Sequence, residues 1–201
     1  MDFTKMKDTL ESLGYVVTCF DTADDAANYL DRNISGKSVG FGGSVTLERM
    51  GLYDMLALNN EVYYHNRLPG GKTKLDVCHD AMHTDVYISS VNAIAQTGEI
   101  INLDGYGNRL SSILFGHEKV YLVIGENKIT ETFDEAVSRA RNIAAPKNAQ
   151  RVKAKTPCAI DGDKCYDCAS NNRICRAMLV LWAPPLHSDF EIILIHEDLG
   201  F

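Results

Sequence analysis

The sequence predicts an α/β fold: a mostly parallel sheet flanked by helices, with a Cys-bearing irregular flap before the last strand. Three observations predict it. Strand-like and helix-like segments alternate through the first half of the chain, the pattern of parallel strands joined by crossover helices. Strand candidates then crowd between residues 85 and 124, which points to an antiparallel or mixed portion. Residues 147–178 lose both periodicities and collect Pro, Gly, Asn and Cys. Residues 1–201 read as one α/β domain with the 147–178 flap inside it.

Each element has a local reason. Phe3, Met6, Leu10 and Leu13 recur at helical spacing, and Gly14 ends that helix. "YVVTCF" (15–20) is β-branched and aromatic and predicts a strand. Asp21 and Thr22 can cap a helix that runs to Arg32 and turns Ala23, Ala26, Ala27 and Leu30 inward. "KSVGF" (37–41) is a short strand, "SVTLERMGLYDMLAL" (44–58) one helix and "VYYHN" (62–66) a strand. The Pro-Gly-Gly core makes 66–74 a loop, and "LDVCHDAMHT" (75–84) follows as a helix. "DVYISSV", "GEIINL", "KVYLVIG" and "FEIILIHE" are four further strands, the last of them an edge strand. "TETFDEAVSRARNIAAP" (130–146) is a helix stopped by Pro146.

Composition narrows the function. The 201 residues are 45% hydrophobic and 23% charged, ordinary for a soluble globular chain. A net charge of −7 opposes a general nucleic-acid surface. No apolar run approaches the roughly 20 residues of a membrane span, so no membrane insertion is expected. The N-terminus lacks the apolar core of a signal peptide, which predicts a cytoplasmic location and six reduced cysteines. Charge is uneven. Lys147, Arg151, Lys153, Lys155, Lys164, Arg173 and Arg176 face only Asp161, Asp163 and Asp167 in the flap segment, which is net +4 in a remainder of −11. This excess is either a solvated connection or the counterpart of an anionic centre.

"VGFGGSVTLERMGL" (39–52) sets a glycine turn between a strand and a helix. Such a turn lets backbone approach a ligand, and a helix start offers free N–H groups to an anion. Gly42, Gly43, Ser44 and Thr46 are the candidate ligands. The third glycine of a dinucleotide fingerprint and the lysine of a P-loop are both missing, so no nucleotide cofactor is expected. The plain alternative is a βα turn with Ser44 as its cap.

Residues 84–109 form a second polar constellation. Asn92, Asn102, Asp104, Gly105, Asn108 and Arg109 gather amides, an acid and a guanidinium suited to a carboxylate or phosphate. Asp85, opening a strand, is the candidate acid or base. The alternative is two turns and a surface salt bridge. Lys128 in "GENKIT" is a further candidate for an anion at the strand ends.

Cys158, Cys165, Cys168 and Cys175 read C-x6-C-x2-C-x6-C. The central pair can reach one metal from a tight loop, and the outer pair can complete four sulfur ligands for zinc or an iron–sulfur cluster. The spacing differs from the ferredoxin run. Buried reduced thiols and a redox pair are the other readings. His79 and His83 share a helical face beside Cys78, whereas His65, His117, His187 and His196 stand alone and read as surface or core residues.

"VGFGGSVTLERMGL", "TDVYISSVNAIAQTGEIINLDGYGNR", "GENKIT", "PCAIDGDKCYDCASNNRICR" and "HEDLGF" together resemble the LUD-domain (lactate utilisation) family, in its short, single-domain type related to lactate utilisation protein C. The resemblance implies a NagB/RpiA/CoA-transferase-like fold and a role in lactate or organic-acid use, with iron–sulfur oxidoreductase proteins as partners. It tips the metal expectation toward iron–sulfur. In CoA-transferases of this fold a Glu near the 84–100 turn is the acyl acceptor. Gln96 falls there and cannot form the anhydride, although Glu99 is close. Two alternatives to an organic-acid protein binding a small anion are a non-catalytic assembly subunit and a sugar-phosphate isomerase-like enzyme with Asp85 as its acid/base.

Overall fold

The computed structural model describes residues 2–201. Its centre is a six-stranded, all-parallel sheet in the order β1-β10-β7-β4-β2-β3. The strands are β1 (Val16–Phe20), β2 (Ser38–Phe41), β3 (Glu61–Tyr64), β4 (Val86–Ser89), β7 (Lys119–Gly125) and β10 (Asp189–Ile195). A second sheet, in the order β8-β5-β6-β9, holds β5 (Ala93–Ala95), β6 (Ile100–Asp104), β8 (Ile129–Thr130) and β9 (Ala177–Leu181). It is mixed: β6 runs antiparallel to β5 and β9, and β5 parallel to β8.

Period-2 alternation sorts the large sheet's side chains onto two faces. Leu122, Ile124, Ile192 and Leu194 face one way, where α1 (Thr4–Ser12) and the small sheet's Ile94, Ile100 and Leu181 meet them. Val123, Ile193 and Ile195 face the other way, under α2 (Ala23–Asn33), α3 (Val45–Arg49) and α4 (Leu52–Leu56). The outer face of the small sheet packs Ala93, Ala95 and Ile101 on Ala136 and Ala140. α5 (Lys74–Ala81) leads into β4, and α6 (Asn108–Leu114) follows β6. α7 (Phe133–Arg139), α8 (Ala145–Arg151) and α9 (Pro157–Asp161) complete the chain.

Four elements differ from expectation, each for a local reason. The helix expected over 44–58 is two, because Gly51 takes φ +62° between α3 and α4. Pro146 does not stop its helix. Ala140–Ala144 widens into a π turn, and Pro146 then sits in the first turn of α8, where its missing N–H costs no ladder bond. The final strand is not an edge: β10 lies between β1 and β7, as its Ile-Ile-Leu-Ile run buried on both faces requires. The flap is partly regular, since it contains the end of α8 and all of α9 and leads into β9.

Candidate functional site

An open cleft of about 1090 Å³ lies at the carboxyl ends of the parallel strands on the β2–β3 side. Four parts of the fold wall it. Gly43, His65 and Asn66 come from the ends of β2 and β3; Thr73, Lys74, Leu75 and Cys78 come from α5 and its entry. Leu103–Arg109 brings the β6–α6 turn. The flap supplies Arg151–Lys155 and Asn171–Arg176. Seven lining residues are cationic: Lys74, Arg109, Arg151, Lys153, Lys155, Arg173 and Arg176. Among the described residues Asp104 is the single lining carboxylate.

The β6–α6 turn is internally satisfied. Asp104 accepts the N–H groups of Tyr106 at 3.1 Å and Arg109 at 3.0 Å, and its Oδ2 lies 3.6 Å from the Arg109 Nε. The Arg109 guanidinium also donates to Asn102 Oδ1 at 3.3 Å and to the Leu103 carbonyl. Arg109 thus lines the cleft with much of its fork already engaged. Gly105 lets the flap close in: a Cβ there would lie 2.9 Å from the Ile174 carbonyl oxygen. This approach brings Arg173 and Arg176 beside the turn, and the Arg176 N–H donates to the Asp104 carbonyl at 2.9 Å.

The glycine turn has a different use from the one its layout suggests. Gly42 N–H donates to the Ile88 carbonyl at 2.9 Å, continuing the sheet. The Ser44 hydroxyl accepts from Leu47 N–H at 3.4 Å and caps α3, as a plain βα turn would have it. Gly43 alone reaches the cleft. A Cβ on it would lie 3.0 Å from the His65 Cε1 and 3.1 Å from Nε2, so the bare glycine gives the imidazole its seat. His65 is half-buried, and neither ring nitrogen has a hydrogen-bond partner among the described residues. Burial holds its pKa below the ordinary imidazole value, reinforced by Lys74, Arg109 and Arg151 and opposed by Asp104. Burial likewise raises the pKa of the Cys78 thiol in the same wall, with Asp104 adding to it.

The remaining expected residues divide. Asn92 lines the cleft while its Oδ1 accepts from Leu103 N–H at 2.7 Å, and Asn108 lines it too. Thr46, Asn102 and Lys128 are buried away from it. Lys128 Nζ donates to Thr46 Oγ1 and Ser90 Oγ, both at 2.8 Å. Burial pushes its pKa down to about 7, with Arg139, Arg109 and Arg49 adding to the fall. Asp85 is at the opposite, amino end of the sheet, where its Oδ2 accepts from Ser38 N–H at 2.9 Å and Ser38 Oγ at 2.7 Å. Those bonds, the hydroxyl first, hold its pKa below the usual carboxylate value. Glu99 sits on the β5–β6 turn, outside the cleft.

The LUD-domain profile matches residues 3–195, nearly the whole chain. The chain belongs to the LUD-domain family. Among solved structures, this LUD-domain protein is similar to a DUF162 family protein from Deinococcus radiodurans, at TM-score 0.54 and 12% identity, covering 95% of this chain and 94% of that one. That likeness is one of fold. A ribose 5-phosphate isomerase from Plasmodium falciparum overlaps 54% of this chain and 52% of its own at TM-score 0.33 and 16% identity. No curated protein matches the sequence significantly.

The four flap cysteines of this LUD-domain protein do not meet at one centre. Cys158 Sγ pairs with Thr156 Oγ1 at 3.3 Å, Cys165 Sγ accepts from Asp167 N–H at 3.4 Å, and Cys175 Sγ accepts from Arg173 at 3.5 Å. Among the described residues no group of three or more His, Cys, Asp or Glu is arranged to hold a metal ion. As they stand, these thiols do not fit a zinc or iron–sulfur site. His79 and His83 do not share a helical face, because α5 ends at Ala81. Among the described residues no helix is long and apolar enough to cross a membrane.

His65 and Lys74 are the site residues that sequence reasoning passed over. A single histidine at a strand end carries no pattern. The one available signal was positional: His65 follows a strand, as Gly42–Gly43 does, and ligands of open α/β sheets lie outside the carboxyl ends of strands.

Proposed function

We propose that this LUD-domain protein binds an organic anion in the cleft between the β2 and β3 ends and the flap, as part of lactate or other organic-acid metabolism. One observation carries the reading: seven cations and one carboxylate line a cleft in a chain of net charge −7. Self-repulsion among them disfavours the empty cleft, and an anion relieves it. The flap's excess positive charge then has a purpose without a metal centre, since five of the seven cations come from it. Lys153 and Lys155 are exposed and free to follow a ligand, Arg151 is exposed with its Nε donating to Asn148 Oδ1, and the β6–α6 turn is a fixed floor. L-Lactate and pyruvate are the first molecules to try, and anions of more than one charge fit the number of cations better. Six unpaired thiols suit the reducing cytoplasm.

Calorimetric titration with lactate, pyruvate, citrate and inorganic phosphate tests the proposal. At least one should bind, with affinity that falls as salt rises. Arg151→Glu with Lys153→Glu should weaken it by about tenfold or more, since reversing two charges near a ligand exceeds the roughly 1.4 kcal/mol that a tenfold change represents. If none binds, or the reversed variant binds equally well, the reading fails.

A further inference from the structure

We infer that His65 is the proton-carrying contact of the cleft: its imidazole takes up a proton as an oxyanion arrives and donates it back as an N–H···O bond to that ligand. The inference rests on the cleft being the anion site. Three features of the geometry carry it.

First, the imidazole is held and yet unused. Gly43 leaves room for it within 3.0–3.1 Å of where a Cβ would stand, and Tyr64 packs edge-on at 5.4 Å between ring centroids. A ring nitrogen with solvent access need not find a protein partner. Here neither does among the described residues, and the neighbouring Gly43 N–H is also without one. The two form adjacent donors on one wall of the cleft.

Second, burial and the cations around the ring disfavour its protonation while the cleft is empty. Lys74 of α5, Arg109 of α6 and Arg151 of α8 disfavour the imidazolium, Asp104 of β6 favours it, and burial disfavours it most. Cys78 on α5 shares Lys74 and Asp104 with the ring, and burial raises its thiol pKa. An oxyanion in the cleft cancels the field of those cations and makes the second proton favourable.

Third, the proton balance needs no further reactant. Solvent supplies the proton, a new N–H bond forms on the imidazole, and its hydrogen bonds the ligand oxygen. The charged ring is then a general acid for that oxygen, with the negative end of the ligand met by Lys74 and the flap.

The test uses the full chain with sulfate and ethanedisulfonate, strong-acid anions whose charge is constant over the range in which an imidazole titrates. Proton–carbon correlation spectra follow the His65 Cε1–H, assigned by His65→Gln. Saturating anion should raise the His65 titration midpoint by roughly half a unit or more. Calorimetry in buffers of differing ionisation heat counts the protons taken up by wild type, independently of any variant. That count should be positive near neutral pH. His65→Gln should abolish it. If either anion binds and the His65 titration stays in place, this inference is overturned and the anion cleft stands. If neither anion binds at any pH, both are overturned.

Discussion

Lys128 Nζ lies 2.8 Å from the Ser90 hydroxyl oxygen at the carboxyl end of the parallel sheet, with no carboxylate in ion-pairing distance among the described residues. The Ser90 hydroxyl donates to the Val123 carbonyl at 2.5 Å, and the Thr46 hydroxyl donates to the Leu199 carbonyl at 3.0 Å. Both hydroxyls therefore act as acceptors toward the lysine and remain satisfied as donors without it. A Cβ on Gly200 would come within 3.3 Å of the same Nζ, so the chain after β10 closes over the amine.

The sign of its pH dependence follows. The folded pKa is near 7 against 10.5 unfolded, so between those values the unfolded chain binds the extra proton. Stability must rise with pH through that window, by at most about 1.4 kcal/mol per pH unit. Below it the burden of the buried charge is present in full. Lys128→Met removes that burden and leaves no orphaned donor. Denaturant midpoints measured at neutral pH and about two units above should show the wild type gaining on the variant as pH rises. Parallel curves for the two proteins would refute the assignment.

Two adjacent glycines should behave differently. A Cβ on Gly42 would lie 2.5 Å from Ser89 Oγ and 2.9 Å from Tyr87 Oη, both in buried residues of β4. Gly42→Ala should therefore cost about 1–3 kcal/mol, the usual range for overpacking. Gly43→Ala meets only the His65 ring, which can swing into the cleft, so its cost should stay below about 1 kcal/mol. Urea unfolding of both variants checks the order, and a larger loss at Gly43 would contradict it.

Much of the fold was legible because its signals are local. Thr22 caps the helix that it was expected to cap, Ser44 takes the capping role given as the plain alternative, and "KVYLVIG" is β7 from end to end. Tertiary placement was not legible in the same way. Ala93–Ala95 and Ile129–Thr130 are too short to show a period, so the small sheet was seen only as a crowding of strands. The site was half legible. Asp104, Gly105, Asn108 and Arg109 announce a polar turn, and that turn is the floor of the cleft. Asp85 lies in the same polar stretch of sequence, but it precedes β4 and so stands at the opposite end of the sheet. That end was legible, because the start of a parallel strand points away from the crevice where ligands bind. His65 comes to the cleft only because β3 pairs beside β2, a long-range fact.

Asp85 should accordingly matter to stability and not to ligand. Its carboxylate ties β4 to β2 through Ser38. Its depressed pKa means that this tie is present above the ordinary carboxylate range and is lost as pH falls through the folded value. Asp85→Ala should lower the melting temperature at neutral pH and steadily less toward acid, while anion affinity stays within about twofold of wild type. A large affinity loss in a folded Asp85→Ala protein would return Asp85 to the site.

The flap cysteines give the last prediction. Each of three thiols has its own local hydrogen-bond partner, namely Thr156, the Asp167 N–H and Arg173, of which Arg173 also interacts with the charge of Cys168. Cys175 also lines the cleft, beside Arg173. Alkylation should therefore proceed at all four flap thiols without chelator, and a bound polyanion should slow it at Cys175 before Cys158. The two differ because an anion drawn to Arg173 covers Cys175, whereas Cys158 on α9 lies outside the cleft. Peptide mapping after brief iodoacetamide treatment reads each site separately. Iron and zinc measured on the same anaerobic sample should be well below one per chain. If stoichiometric metal is found and protects all four thiols together, the flap closes around it, and the positive charge of this segment serves that centre rather than the cleft.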